Sequence, residues 1–146
     1  MGAIRKGKQN VNSKKTVIDG IEFQSRLESY AYVKLKELGI EFQYEERSFT
    51  LMDGFTPKIY AWESIRGKFI PRSKKVLPIT YKPDFTCPNM TWVIEVKGRA
   101  NELFPMRWKL FKRYLNVNSI FPELFLPHDK KEIDIAVQWI KDNQQK

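Results

Sequence analysis

No apolar run in this chain is longer than four residues; Tyr30–Val33 and Ile59–Trp62 are the longest. A helix that crosses a bilayer needs roughly 20, so no membrane span is expected and the core has to come from amphipathic elements. The material for one is present. Hydrophobic residues make up 42% of 146, with ten Phe, six Tyr and four Trp, which argues against disorder throughout. The length suits one domain, read here as residues 16–146 behind a flexible basic arm at 1–15.

The scarce residues exclude several chemistries. A lone cysteine, Cys87, forms no intramolecular disulfide, and with a lone histidine, His128, it cannot build a structural zinc site. Cys87 reads as a small packing residue and His128 as a surface residue at a helix entry. No phosphate loop and no nucleophile elbow occurs, so P-loop and esterase chemistry lose their carriers and no nucleotide cofactor is expected. The N-terminus has charge but no apolar signal core, and Lys6 stands where a myristoylation signal needs Ser or Thr. A cytoplasmic, intracellular protein is the expectation.

The pattern along the chain alternates strands and helices. Asp19-Gly20 between short apolar segments signals a hairpin over 16–23. Ser25 and Glu28 form a capping box, and Leu27, Ala31, Leu35 and Leu38 repeat at helical spacing until Gly39, giving a helix over 26–38. Ile40, Phe42 and Tyr44 alternate with polar residues, which predicts a strand over 40–51 with one buried face. Residues 53–75 break into Gly, Pro and basic residues around Ile59–Trp62, either a hairpin extension or a loop. Two strands follow, 79–86 and 91–97, joined at Pro88-Asn89 as a hairpin. Pro105 opens a helix through Leu115 with Phe104, Trp108, Phe111 and Leu115 on one side, and Trp108, Phe111 and Tyr114 belong to the core. A strand at 124–126 precedes a capping box at Asp129 and a helix bearing Ile133, Ala136, Val137 and Ile140. The fold class is therefore α/β, a mixed sheet flanked by helices.

The formal net charge is +9, from 26 Lys+Arg against 17 Asp+Glu, and the cations cluster. One block lies before residue 18, a second runs from Arg66 to Lys82, and a third from Lys97 to Arg113. Such blocks suit a polyanion. Arg99, Lys109, Lys112 and Arg113 are the best phosphate-contact candidates. Contacts of that kind position DNA without reading its sequence.

The stretch Y-K-P-D-F-T-C-P-N-M-T-W-V-I-E-V-K-G, residues 81–98, carries the candidate chemistry. Glu95 and Lys97 leave one face of their strand while Trp92, Ile94 and Val96 enter the core on the other. Asp84 lies eleven positions before Glu95, the separation that lets a hairpin bring it beside the E-x-K face. Close carboxylates repel unless a cation lies between them, and hard oxygen donors suit Mg²⁺ or Mn²⁺. Such an ion would activate water and stabilise a phosphoryl transition state, with the lysine assisting. The E-x-K triplet alone carries no weight, since another acid-x-Lys occurs at Asp129–Lys131. What distinguishes the first is the chain's only Pro-Asp upstream, the apolar strand and the terminal Gly98.

Pro83-Asp84 followed by Glu95-Val96-Lys97 resembles the PD-(D/E)xK nuclease motif. With residues 23–46, F-Q-S-R-L-E-S-Y-A-Y-V-K-L-K-E-L-G-I-E-F-Q-Y-E-E, the chain is similar over roughly 16–115 to phage Holliday-junction resolvases of the endonuclease I type and their prophage relatives. The resemblance implies a restriction-endonuclease-like fold, a divalent metal, and cleavage of branched DNA to 5′-phosphate and 3′-hydroxyl ends. It makes Asp84 and Glu95 metal ligands, Lys97 the catalytic lysine and Glu28 an additional acid near the metal, although Glu28 also completes the capping box. It implies a homodimer, and a phage or prophage role in the host cytoplasm. The chain departs from that family in its extended basic segment between about Asp53 and Thr80. Two alternatives remain at this point: a nicking or transposon-end nuclease subunit that takes specificity from a partner, and a non-catalytic basic nucleic-acid-binding module.

Overall fold

A computed structural model describes residues 15–98 and 103–144. The proposed N-terminal arm therefore lies outside the described residues except for Lys15, whose Nζ pairs with Glu22 at 3.0 Å. Asp19 and Gly20, both at positive φ (52° and 77°), turn β1 (Thr16–Ile18) onto β2 (Ile21–Phe23), the twist that a two-residue hairpin requires. Ser25 caps α1 (Arg26–Glu37) by accepting from Glu28 N–H, and Gly39 at φ 66° lets the chain leave the helix.

The single strand expected over 40–51 is two. β3 (Gln43–Tyr44) and β4 (Phe49–Met52) belong to different sheets, because Glu45 takes a left-handed conformation, φ 46°, and turns the chain out of the first. The strand expected over 79–86 splits likewise into β7 (Ile79–Tyr81) and β8 (Phe85–Thr86). Pro83, fully buried and without an N–H to donate, stands in the gap. Between them, β5 (Ala61–Ile65) and β6 (Lys68–Arg72) form the hairpin alternative for the 53–75 segment, with Arg66 and Gly67 at positive φ in its turn.

The main sheet has the order β10-β9-β8-β3, where β9 is Trp92–Ile94 and β10 is Glu123–Phe125. The expected hairpin is present: β8 pairs antiparallel with β9, while β10 lies parallel to β9 on its other side. Helices cover both faces. α1 and α3 (Lys130–Asn143) bury Ala31, Leu35, Ile133, Val137 and Ile140 against Phe85, Trp92, Ile94 and Val96. On the opposite face α2 (Phe104–Val117) packs Phe104, Phe111 and Leu115 against Phe49, Leu51, Tyr81 and Val93. The strand face that carries Glu95 and Lys97 is thus not an open surface; at Val93 it enters a second core. Pro105 at the start of α2 and Asp129 as the cap of α3 match the sequence signals.

The described residues form a mixed α/β protein with three helices, none of which is long and apolar enough to cross a membrane. Phe111 is completely buried and touches the rings of Phe49, Tyr81 and Trp108. Phe111→Ala is expected to cost about 3–5 kcal/mol in urea unfolding. Trp62→Ser on the exposed β5–β6 hairpin should stay within about 0.5 kcal/mol of wild type.

Candidate functional site

Asp84 precedes β8, and its position is fixed by two hydrogen bonds that run in opposite directions. Its Oδ2 accepts from Val96 N–H at 2.8 Å, and its own N–H donates to Glu95 Oε2 at 3.1 Å. Each carboxylate thereby takes up a backbone donor of the other's strand. A third segment joins through Glu45 N–H, which donates to the Asp84 carbonyl at 2.8 Å. The left-handed turn that ends β3 is what brings Glu45 there.

Beyond β9 the parallel pairing continues: Glu95 N–H donates to the Phe125 carbonyl and Lys97 N–H to the Pro127 carbonyl, both at 3.0 Å. This keeps Glu95 and Lys97 on one face, toward α2, with Ile94 and Val96 on the other. Tyr81 at the end of β7 donates its hydroxyl to Glu95 Oε2 at 2.9 Å. Lys97 Nζ lies 3.3 Å from Glu95 Oε1 and 4.3 Å from the centre of the Phe104 ring. The aromatic face and the carboxylate together limit where that amine can swing.

Glu28 serves both readings that its sequence position allows. The helix cap is made by the Ser25 side chain, which accepts Glu28 N–H at 3.2 Å. The Glu28 carboxylate takes the Tyr44 hydroxyl at 2.8 Å and the Ser25 hydroxyl at 3.2 Å. It still faces the sheet: carboxylate oxygens of Glu28, Glu45 and Asp84 all lie within 4.8 Å of one another. Glu95 is not one of this trio: one of its oxygens accepts from the Tyr81 hydroxyl and Asp84 N–H and the other pairs with Lys97.

Burial raises the carboxyl of Asp84 well above its usual range, and the charges of Glu95 and Glu28 push it the same way against the Val96 N–H and Lys97. Glu95 is raised by burial, opposed chiefly by Lys97 and by the Tyr81 and Asp84 donors. Glu28 is raised by burial and lowered by Tyr44 and Ser25. Burial and the adjoining carboxylates also drive the hydroxyls of Tyr44 and Tyr81 strongly upward, so they remain donors at neutral pH. Burial and like charge together therefore disfavour the ionised form of Asp84.

Glu28, Asp84, Glu95 and Lys97 are brought together from three separate parts of the chain. Glu45 and the two tyrosines escaped the sequence reading. In the sequence Glu45 is one of the polar positions of the strand expected over 40–51, and Tyr81 lies within the strand expected over 79–86 with nothing to single it out. Of the phosphate-contact candidates, Lys109, Lys112 and Arg113 are exposed on α2, and Arg99 lies outside the described residues. Cys87 is buried and His128 exposed beside Glu132.

The three carboxylate oxygens are hard donors of the type that a divalent cation takes and could hold one with water completing its shell, while Glu95 Oε1 faces Lys97 instead. A mixed α/β protein with a partly buried acid cluster where its sheets meet is the class that fold and site define. Residues 8–124 match the family described as "Protein of unknown function (DUF1064)", and the chain belongs to that family. Neither curated proteins nor solved structures match the chain.

The carboxyl shifts have a definite consequence in metal-free buffer. Folded carboxyls with raised pKa retain protons that the unfolded chain releases above about pH 4. Stability from this source is full below that pH and is lost as pH rises through the folded values. Asp84→Asn keeps an oxygen for Val96 N–H and removes the charge. In EDTA at pH 8 it is expected to raise Tm by about 3 °C or more, with the gain shrinking toward pH 4. A variant less stable than wild type at pH 8 would show that the cluster is not under charge strain.

Proposed function

We propose that this protein is a metal-dependent endodeoxyribonuclease of the PD-(D/E)xK type, acting on branched DNA and using Mg²⁺ or Mn²⁺. The observation that carries the reading is the meeting of Asp84, Glu95 and Lys97 at the ends of a hairpin, with Glu28 arriving from a helix. A charged, partly buried group of three acids and a lysine is costly to fold around. Its assembly at one place is easiest to understand as a site for a cation and a phosphate.

In this reading Asp84, Glu28 and Glu45 would hold the ion, with Glu95 hydrogen-bonded to Asp84 beside them. When bound, the ion would supply a polarised phosphoryl oxygen and an acidified water. The protein groups have separate tasks. Val96 N–H fixes the carboxylate of Asp84, and the Tyr44 and Ser25 hydroxyls fix that of Glu28. Tyr81 and Asp84 N–H hold Glu95, which in turn sets the position of Lys97 Nζ. Lys97 then offers N–H donors to the attacking water or to a non-bridging phosphate oxygen, a contact worth most in the transition state. Lys109, Lys112 and Arg113 on the exposed side of α2 would contact flanking phosphates. A homodimer fits a substrate with two strands to cut.

The test incubates the wild type, Asp84→Ala and Lys97→Ala with a labelled four-way junction and a matched linear duplex, in Mg²⁺, Mn²⁺ or EDTA. The wild type is expected to cut the junction in either metal, sparing the duplex and doing nothing in EDTA. Each variant should lose at least about 10²–10³-fold in rate, with junction binding retained or tightened for Asp84→Ala because a phosphate-repelling charge is gone. Undiminished cleavage by Asp84→Ala would contradict the site. Binding without cleavage by the wild type would favour a partner-dependent subunit or a binding module.

A further inference from the structure

The segment between Phe55 and Val76 has no place in the proposed active site, yet it carries the most unusual surface of the molecule. β4 and β7 pair from Phe49–Tyr81 through Met52–Ile79, a bridge joins Phe55 to Val76, and β5–β6 continues from Ala61–Arg72 to the Arg66-Gly67 turn. Two antiparallel pairs, linked by that single bridge, thus follow one another between Tyr81, which holds Glu95, and the hairpin tip. The reach from Tyr81 to Lys68 is at most about 45 Å.

Cross-strand partners in an antiparallel pair share a face. Trp62 with Pro71 and Ser64 with Phe69 therefore line one side, and Ala61 with Arg72, Glu63 with Ile70 and Ile65 with Lys68 the other. Trp62 and Phe69 lie with ring centroids 5.6 Å apart and are 61% and 68% exposed. Tyr60, just before them, is 74% exposed. Aromatic rings displayed on a projecting ribbon are costly in water and mark a contact surface. Around them, residues 58–75 hold six cations, Lys58, Arg66, Lys68, Arg72, Lys74 and Lys75, against one acid, Glu63, which already faces Arg72 at 3.7 Å.

We infer that the β5–β6 hairpin is a nucleic-acid-binding arm that stacks Trp62 and Phe69 on unstacked bases while its cations hold the adjoining phosphates. The occupant follows from charge. A second copy of the chain docked against the hairpin would set one strongly positive segment against another, a like-charge contact, whereas a polyanion neutralises both faces of the arm. Among polyanions, nucleic acid also offers flat π surfaces, on which aromatic side chains stack with little regard to sequence. In linear duplex those surfaces are covered by neighbouring base pairs. They become available in single strands and where strands part at a branch point. The inference deepens the nuclease reading by giving it a source of preference for branched over linear DNA, and it rests on that reading only for the biological substrate.

Binding is measured by fluorescence anisotropy in EDTA with a single-stranded oligonucleotide, a four-way junction and a linear duplex. Trp62→Ser with Phe69→Ser is expected to weaken single-strand and junction binding about tenfold or more, with duplex binding changed less than twofold and Tm unchanged. Trp62→Tyr with Phe69→Tyr, which keeps two stacking rings, should bind like wild type and guards against an effect of misfolding. Equal affinities of the Ser variant and wild type for all three DNAs would overturn the inference. So would a wild-type dimer in sedimentation analysis that the Ser variant dissociates, because the face would then belong to a second copy. Since no metal is present, these outcomes are independent of cleavage: an arm that binds in a protein that cuts nothing refutes the nuclease reading alone.

Discussion

The exchange of backbone donors between Asp84 and Glu95 is the constraint on which the site depends. Two buried carboxylates at the ends of adjacent strands would be forced apart by burial and mutual repulsion. Here each accepts an N–H from the other's strand, Val96 to Asp84 and Asp84 to Glu95, so that the acids themselves join β8 to the end of β9. The cost of burying charge is thereby partly offset by hydrogen bonds to ionised acceptors, which are the stronger kind.

From that joint the rest of the arrangement follows. The parallel bonds to Phe125 and Pro127 extend β9 far enough to put Lys97 beside Glu95. The break after Tyr81 frees its hydroxyl to meet Glu95, and the break after Tyr44 lets Glu45 reach the Asp84 carbonyl. The two interruptions lie side by side, and both β4 and β7 leave the main sheet there as a separate ribbon. One local irregularity thus assembles the acid cluster and launches the basic hairpin.

Elements with strong local signals were legible in the sequence. Asp19-Gly20 specifies its turn through positive φ at both residues, Ser25 and Asp129 cap their helices through short-range hydrogen bonds, and Phe104, Phe111 and Leu115 recur at helical spacing. The two long strands were overestimated because alternation reports which residues are apolar, not which sheet receives them. Glu45 in a left-handed conformation is a tertiary effect, held by one bond to Asp84, and no local residue preference announces it. Asp84, Glu95 and Lys97 could be found because hairpin spacing alone brings them close. Glu45 and Tyr81 could not, since their partners arrive by pairings that the sequence pattern left open.

The central claim is that the acid cluster is a divalent-cation site. The most direct test is calorimetric titration of Mn²⁺ into the metal-free protein at neutral pH, with Asp84→Ala titrated in parallel. Saturable uptake by the wild type, accompanied by proton release and abolished in the variant, is the predicted result. Indistinguishable titrations of the two proteins, whether both bind or neither does, would contradict it.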